Sequence, residues 1–165
     1  MMRLGATFSA DRIYRYRLLR IWREDHPPLM WVMLNPSTAD ETRDDPTIHR
    51  CIGYSLNGGY GGAVIHNIFA FRSTDPKRLS TVNDPVGPDT DAVLREDAAR
   101  GWKIVCAWGR LGKFGWRATE VLKILPAPLY CLATTKDGSP AHPLYLSSKL
   151  RPAVWVPPTV SFDAQ

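Results

Sequence analysis

Four apolar runs punctuate the chain: Leu29–Leu34, Ala63–Phe71, Lys103–Trp108 and Leu129–Ala133. Each is short and ends at a polar or glycine-containing break, the pattern of a buried strand. The first stops abruptly at Asn35-Pro36, because proline has no N–H and restricts the residue before it. Between the runs the period becomes helical. Asp45-Pro46 supplies an N-cap and a proline at the first helical position, and Ile48, Cys51, Ile52 and Leu56 follow at helical spacing until Asn57-Gly58-Gly59. Pro88 to Arg100, closed by Gly101, reads as a second helix, and Phe114, Ala118, Val121, Leu122 and Leu125 form one face of a third. Thr74-Asp75-Pro76 opens a short turn or helix.

Strands alternating with helices over short links predict an α/β fold, with a central, mostly parallel sheet of about four strands flanked by helices. Upstream, Ile13–Trp22 alternates imperfectly and reads as an exposed strand that turns at His26-Pro27-Pro28 into Leu29–Leu34, an N-terminal β-hairpin. Arg12, Arg15, Arg17, Arg20 and Arg23 stud that segment, either as solvated charges protecting an edge strand or as a phosphate-contacting face. No linker, repeat or low-complexity block interrupts the pattern. A single domain is therefore expected over 1–165, with its core at about 5–155 and an extended or disordered tail over 156–165 that holds Pro157-Pro158.

At 165 residues and 44% hydrophobic, the chain is long enough for one real core. A net charge of +5 tolerates a polyanionic partner without requiring one. Cys51, Cys106 and Cys131 form no Cys-x-x-Cys pair and lie in apolar surroundings, so buried thiols in a reducing compartment are expected. Met1–Gly5 leads into polar sequence without a signal-peptide pattern, and no apolar run approaches the ~20 residues of a membrane span. These features predict a cytoplasmic protein with no membrane partner. His26, His49, His66 and His142 show no ligand spacing, so no metal site is expected. Gly58-Gly59-Tyr60-Gly61-Gly62 precedes a strand, whereas a phosphate loop follows one, so it reads as a helix-to-strand turn. Ser37 lacks a Ser–His–Asp context.

In a parallel sheet the polar groups at the strand ends would converge on one rim, the edge where open α/β sheets bind ligands. The first set is Asn35, Pro36, Ser37, Thr38 and Asp40. Asn67, Arg72, Ser73 and Thr74 follow, then Trp108-Gly109-Arg110, then Thr134, Thr135, Lys136 and Asp137 with His142-Pro143. Each has a plainer alternative. Asn35 could cap a turn, Asp45 could serve only as a helix start, and His142 could sit in an exposed loop. Asn67 lies within an apolar strand, where a buried amide must either bond to neighbouring backbone or read a ligand.

These residues, in this order, resemble a bacterial and phage family of unknown function. The resemblance rests on Leu34-Asn35-Pro36-Ser37-Thr38-Ala39-Asp40, Asp45-Pro46-Thr47, Asn67-Ile68-Phe69-Ala70-Phe71-Arg72, Ala107-Trp108-Gly109, and Thr135-Lys136-Asp137-Gly138 with His142-Pro143. It covers roughly residues 5 to 155. More distantly, the order is similar to the uracil-DNA glycosylase superfamily, and that resemblance implies a uracil-DNA-glycosylase-like fold and chemistry. Asn35-Pro36 would position the attacking water and Asp40 would accept its proton. Asn67 would read the base, with Pro36, Ser37, Thr38 and Trp108 around it. His142 would donate to the leaving base, and Leu144, Tyr145 and Leu146 would fill the gap in the stack. Arg72, Arg110 and Lys136 would hold phosphates.

The implied partner is DNA, duplex or single-stranded, with no cofactor and no metal; protein partners stay open. The chain departs from the pattern of that superfamily in three ways. Asn35 replaces the carboxylate of the Asp-Pro-Tyr-His version, Ser37 replaces its aromatic residue, and the segment after His142 matches only in part. The cysteines of an iron–sulfur cluster are absent. The leading expectation is hydrolysis of the N-glycosidic bond of a damaged or modified base. The alternatives are an enzyme on a free nucleoside or nucleotide, and a non-catalytic nucleic-acid-binding module.

Overall fold

The sheet is wider than the four apolar runs. The computed structural model, described here for residues 1–159, has seven strands: β1 (Arg3–Phe8), β2 (Arg15–Ile21), β3 (Leu29–Met33), β4 (Gly62–Asn67), β5 (Ile104–Cys106), β6 (Leu129–Cys131) and β7 (Ala153–Trp155). Their order is β1-β2-β4-β3-β5-β6-β7. β3 runs parallel to β4 and β5, and β5 to β6. β2 is antiparallel to both β1 and β4, and β7 to β6. This corrects the expected four-stranded, mostly parallel sheet: the protein is α/β, but its sheet is mixed and antiparallel at both margins, and the expected uracil-DNA-glycosylase-like arrangement does not hold.

The hairpin expectation is corrected as well. β2 pairs with β1 and β4, not with β3, so the arginine-studded strand is internal and β1 takes the edge. Glycine makes this possible. A Cβ at Gly61 would lie 2.2 Å from the carbonyl oxygens of Arg23 and His26, and one at Gly62 2.8 Å from that of Arg20, so only glycine lets the start of β4 approach β2 and the loop after it so closely. The glycine run is thus a close-packing device as well as a turn. β2 carries one irregularity. Phe8 pairs with Arg15 and Thr7 with Arg17, so the register slips by one residue at Tyr16.

Alternation along the strands divides the core into two faces. Leu29, Trp31, Met33, Ala63, Ile65 and Val105 pack with Ile48, Cys51 and Tyr54 of helix α1 (Pro46–Asn57). On the other face Met30, Val32, Ile104 and Cys106 pack with Leu94 and Ala98 of α2 (Thr90–Ala98) and Val121 of α3 (Gly115–Leu122). Burying each large apolar side chain contributes about 1.5–3 kcal/mol, and Trp31 and Phe69 are fully buried. All three cysteines are buried, and burial pushes the Cys51 and Cys106 thiols up, away from reactive thiolate. Val154 and Trp155, at the end of the expected core, belong to β7, and Trp155 is buried. Residues 160–165 of the expected tail lie outside the described residues.

Candidate functional site

β3 and β4 end side by side, with Met33 opposite Asn67. Beyond them the chain turns through residues 34–45 before Asp45 caps α1, its Oδ1 accepting from the Ile48 N–H at 2.9 Å. Two arginines from β2 hold this turn in place. Arg15 donates to the Ala39 carbonyl at 2.9 Å, and Arg20 to the Asp40 carbonyl at 2.7 Å and to Asp44 at 2.8 Å. The strand ends, the start of α1 and the loop at His142 enclose a cleft of about 340 Å³, lined among others by Arg15, Asn35, Asp45, Asn67, His142 and Leu144. That is the small end of the roughly 300–1,000 Å³ range of ligand pockets.

Asn35 Nδ2 donates to the Pro36 and Ser73 carbonyls at 3.0 and 2.9 Å, tying two rim segments together and leaving its Oδ1 for the cleft. Asn67 Oδ1 accepts from Arg15 Nη2 at 3.4 Å, and its Nδ2 has no protein acceptor among the described residues. Arg15 is 2% exposed, and its Nε has no hydrogen-bond partner among the described residues. Burial lowers its pKa to about 10, with the Asp45 carboxylate opposing the shift, so it stays charged at neutral pH. Asp45 keeps its second oxygen free of protein donors among the described residues.

His142 Nδ1 accepts from the Leu144 N–H at 3.2 Å, so the proton of the neutral ring must sit on Nε2. Burial pushes its pKa down, with Asp45 opposing, which keeps it neutral at pH 7. The loop that carries it is braced from α1. Arg50 donates to the Leu146 carbonyl, and the Tyr54 hydroxyl lies 3.2 and 3.0 Å from the Leu146 and Ser147 carbonyls. The short helical turn Pro143–Tyr145 therefore stands proud of the cleft, with Tyr145 93% exposed.

The structure brings together Asn35, Ser37, Asn67 and His142. Other expected residues lie elsewhere. Asp40 is corrected: its Oδ1 accepts from the Thr42 and Arg43 N–H groups at 2.9 and 2.8 Å, which turns it into a neighbouring groove and lowers its pKa, so it is no base for this cleft. Trp108 is a core residue on the α2/α3 face, edge-on to Trp155 at 5.6 Å between ring centroids. Pro36 is buried beneath the rim, Thr38 faces the groove, and Tyr145 stands beside the cleft rather than in it.

Arg72 shares that groove, about 740 Å³, with Arg12, Arg43 and Arg78, and the groove shares Ser37, Ser73 and Thr74 with the cleft. Arg110 is exposed and paired with Asp137 at 3.4 Å, and Lys136 is exposed on the adjacent turn. These two do not join Arg72 in the groove. Arg15 and Asp45 are the residues that sequence reasoning missed. Asp45 carried a signal, since an N-cap just beyond a strand end sits at the rim; Arg15 looked like its neighbours in an arginine-rich strand.

A third depression, about 690 Å³, lies at the opposite end of the parallel strands and includes Arg17, Asp97 and Arg100. Its charges are paired with one another, with Asp97 bonded to both arginines. Among the described residues no helix is long and apolar enough to cross a membrane. No group of three or more His, Cys, Asp or Glu among them could hold a metal ion. No curated protein and no solved structure matches the chain. A family model does match, over residues 15–144, a span that begins at Arg15 and ends at Leu144 on the two sides of the cleft. The chain belongs to that family, DUF1643, whose members are described as proteins of unknown function.

Proposed function

We propose that the cleft receives a nucleobase and that the protein hydrolyses the N-glycosidic bond joining a damaged or modified base to DNA. One juxtaposition supports this most. A donor amide on Asn67, a neutral His142 with its proton on Nε2, and the free carboxylate oxygen of Asp45 meet in one small cleft. When the bond breaks, the base departs with negative charge. Asn67 Nδ2 and His142 Nε2 donate toward that charge, in a recess where such bonds are stronger than in water. A water attacks the sugar carbon from the other side; Asp45 takes its proton and Asn35 Oδ1 orients it.

A base within a duplex must leave the stack to reach such a cleft. Tyr145, exposed beside the cleft, fills the gap it leaves in this reading. In the adjoining groove Arg12 is held by Glu41 at 2.6 Å and Arg43 lies 3.8 Å from Asp40, so Arg72 and Arg78 are the arginines that suit the phosphates on either side. A second reading, action on a free nucleotide, draws on the same continuity of a base-sized cleft with a basic groove.

The test is to incubate the protein, without added metal, with single- and double-stranded oligonucleotides carrying uracil, hypoxanthine or hydroxymethyluracil, and with the matching nucleotides. Alkali cleavage at abasic sites scores release. Release that Asn67→Ala and His142→Ala each reduce by about 100-fold or more is the expected result. Release from nucleotides alone selects the second reading. No product from any substrate sinks both and leaves a binding module, whose DNA affinity should fall steeply with salt.

A further inference from the structure

Among the described residues Arg12 is the one non-glycine residue with a left-handed backbone, at φ 61°. A side chain there is uncommon. The hairpin tip between β1 and β2 imposes it. Ser9 Oγ donates to Asp11 Oδ1 at 2.7 Å, the Ile13 N–H to Asp11 Oδ1 at 3.1 Å, the Tyr14 N–H to Ser9 Oγ at 3.0 Å, and the Arg12 N–H to the Ser9 carbonyl at 2.9 Å. Strain held this firmly in an exposed tip points to a task for the side chain. The Arg12 guanidinium lies 3.9 Å from the centre of the Phe8 ring, and Nη1 and Nη2 both donate to Glu41, at 2.6 and 2.9 Å. We propose that the groove beside the cleft holds a phosphate group on Arg12, and that Glu41 occupies that place in the free protein until the phosphate displaces it. This rests on the phosphate reading of the groove and not on the nucleobase reading of the cleft.

A carboxylate and a phosphate fill an arginine fork in the same way, each accepting two parallel N–H bonds. Glu41 therefore shows how the fork takes an anion. The pair is easily given up: its side chains are 48% and 43% exposed, and exposed pairs contribute little to stability. Only the Glu41 side chain has to swing, because the backbone beside it is pinned from β2. Arg15 donates to the Ala39 carbonyl at 2.9 Å, and Arg20 to the Asp40 and Arg43 carbonyls at 2.7 and 3.2 Å. Charge favours the exchange. Arg72 stands at the same Phe8 ring, 4.8 Å from its centre, and Arg78 stands 5.2 Å from the centre of Phe71. Ring faces hold these two guanidiniums without using up their N–H donors. Arg72 donates to the Arg12 carbonyl at 3.3 Å, and neither has a carboxylate partner among the described residues. Glu41 serves Arg12 alone, whereas a phosphate brought into the groove also meets the field of Arg72 and Arg78. The tethered carboxylate thus sets a threshold that small stray anions must overcome.

The experiment titrates the full chain with inorganic phosphate, thymidine 5′-monophosphate and an unmodified thymidine octanucleotide by calorimetry, and follows the Glu41 carboxyl carbon by NMR. Binding should shift that carbon as the pair opens. Glu41→Gln should tighten binding by about tenfold, the scale of one charge-assisted hydrogen bond. In an Arg12→Gln background the same change should alter affinity by less than about twofold, because the fork is gone. A charge effect spread over the groove would give equal gains in both backgrounds, which overturns the proposal. So does a lack of binding of every probe to Glu41→Gln. If a variant fails to fold, the native protein still decides: binding that leaves the Glu41 carbon unmoved overturns the proposal, and binding that shifts it supports it. Within a supporting result the probes separate the sources of phosphate. A monophosphate that binds as tightly as the octanucleotide names a free nucleotide; affinity that belongs to the octanucleotide and falls steeply with salt names a nucleic-acid backbone. The expected cycle with no base release from any oligonucleotide keeps this proposal and removes the hydrolase reading. Base release with equal gains in both backgrounds does the reverse.

Discussion

Two buried polar clusters lie on opposite faces of the sheet, one residue apart along β4. His66 points to the α2 face and meets the Asp97 Oδ2 at 2.8 Å; that carboxylate also accepts from Arg17 Nε at 2.5 Å and Arg100 Nε at 2.9 Å. Asn67 points to the α1 face, into the cleft with Arg15, Asp45 and His142. Both clusters are rich in charge. The first is mostly spent within itself: one carboxylate serves three donors, and Arg17 Nη2, which makes no hydrogen bond among the described residues, sits 3.3 Å from the Glu96 carboxylate. The second leaves a donor on Asn67, a donor on His142 and an oxygen on Asp45 facing the cleft. Buried polarity alone therefore does not mark a site; unspent hydrogen-bonding capacity facing a cavity does.

The sharpest way to break this contrast is to remove one member from each cluster. Asp97→Ala strands two arginines and a histidine, and it should destabilise the fold by about 3–5 kcal/mol in urea unfolding. Asn67→Ala takes one long hydrogen bond from Arg15, which keeps the Ala39 carbonyl, and should cost about 1–2 kcal/mol. Equal costs would mean that the cleft cluster holds the fold as much as the other one does, and the distinction would be lost.

Acid offers a milder probe. Burial is the main cause that pushes the pKa of both His66 and His142 below the ordinary value of 6.5. The unfolded chain then takes up protons near pH 6.5 that the folded protein resists. Stability is full above that pH and falls as pH drops below it, by up to about 1.4 kcal/mol per pH unit for each histidine. His66→Gln should remove the share of the structural cluster from this slope between about pH 6.5 and 5. An unchanged slope would show that His66 is not held neutral. The smallest effect belongs to Arg50→Ala, which unties the Leu146 carbonyl. It should cost about 1 kcal/mol or less and show mainly as faster amide exchange at Leu144 and Leu146; unchanged exchange would mean the loop under His142 needs no brace.

Local chemistry was readable in the sequence. Asp45-Pro46 and the spacing of Ile48, Cys51 and Ile52 announced α1 because capping and a 3.6-residue period act over a few residues. The apolar runs announced β3 to β6 for a similar reason. β1 and β7 stayed hidden because one is half polar and the other has three residues among prolines, so only pairing partners distant in sequence stabilise them. Asn35, Asn67 and His142 were legible as a group because strand ends in an α/β sheet share a rim. Asp40 was misplaced because an acid two residues before Thr42 can also close a turn on the backbone N–H groups beyond it, and here it does. The burial of Arg15 depends on β1 and β4 flanking its strand, which no run of residues near it encodes.

The slip at Tyr16 is what lets a single strand serve both clusters. Arg15 and Arg17 are two residues apart, a spacing that would put them on one side of a regular strand. The extra residue sends Arg15 to Asn67 and Arg17 to Asp97. A relative lacking one residue here would present the same two arginines to the same two faces from an unbroken strand. When family members are aligned, the gap therefore belongs at Tyr16, and the two arginines should be matched as neighbours across it rather than counted by position.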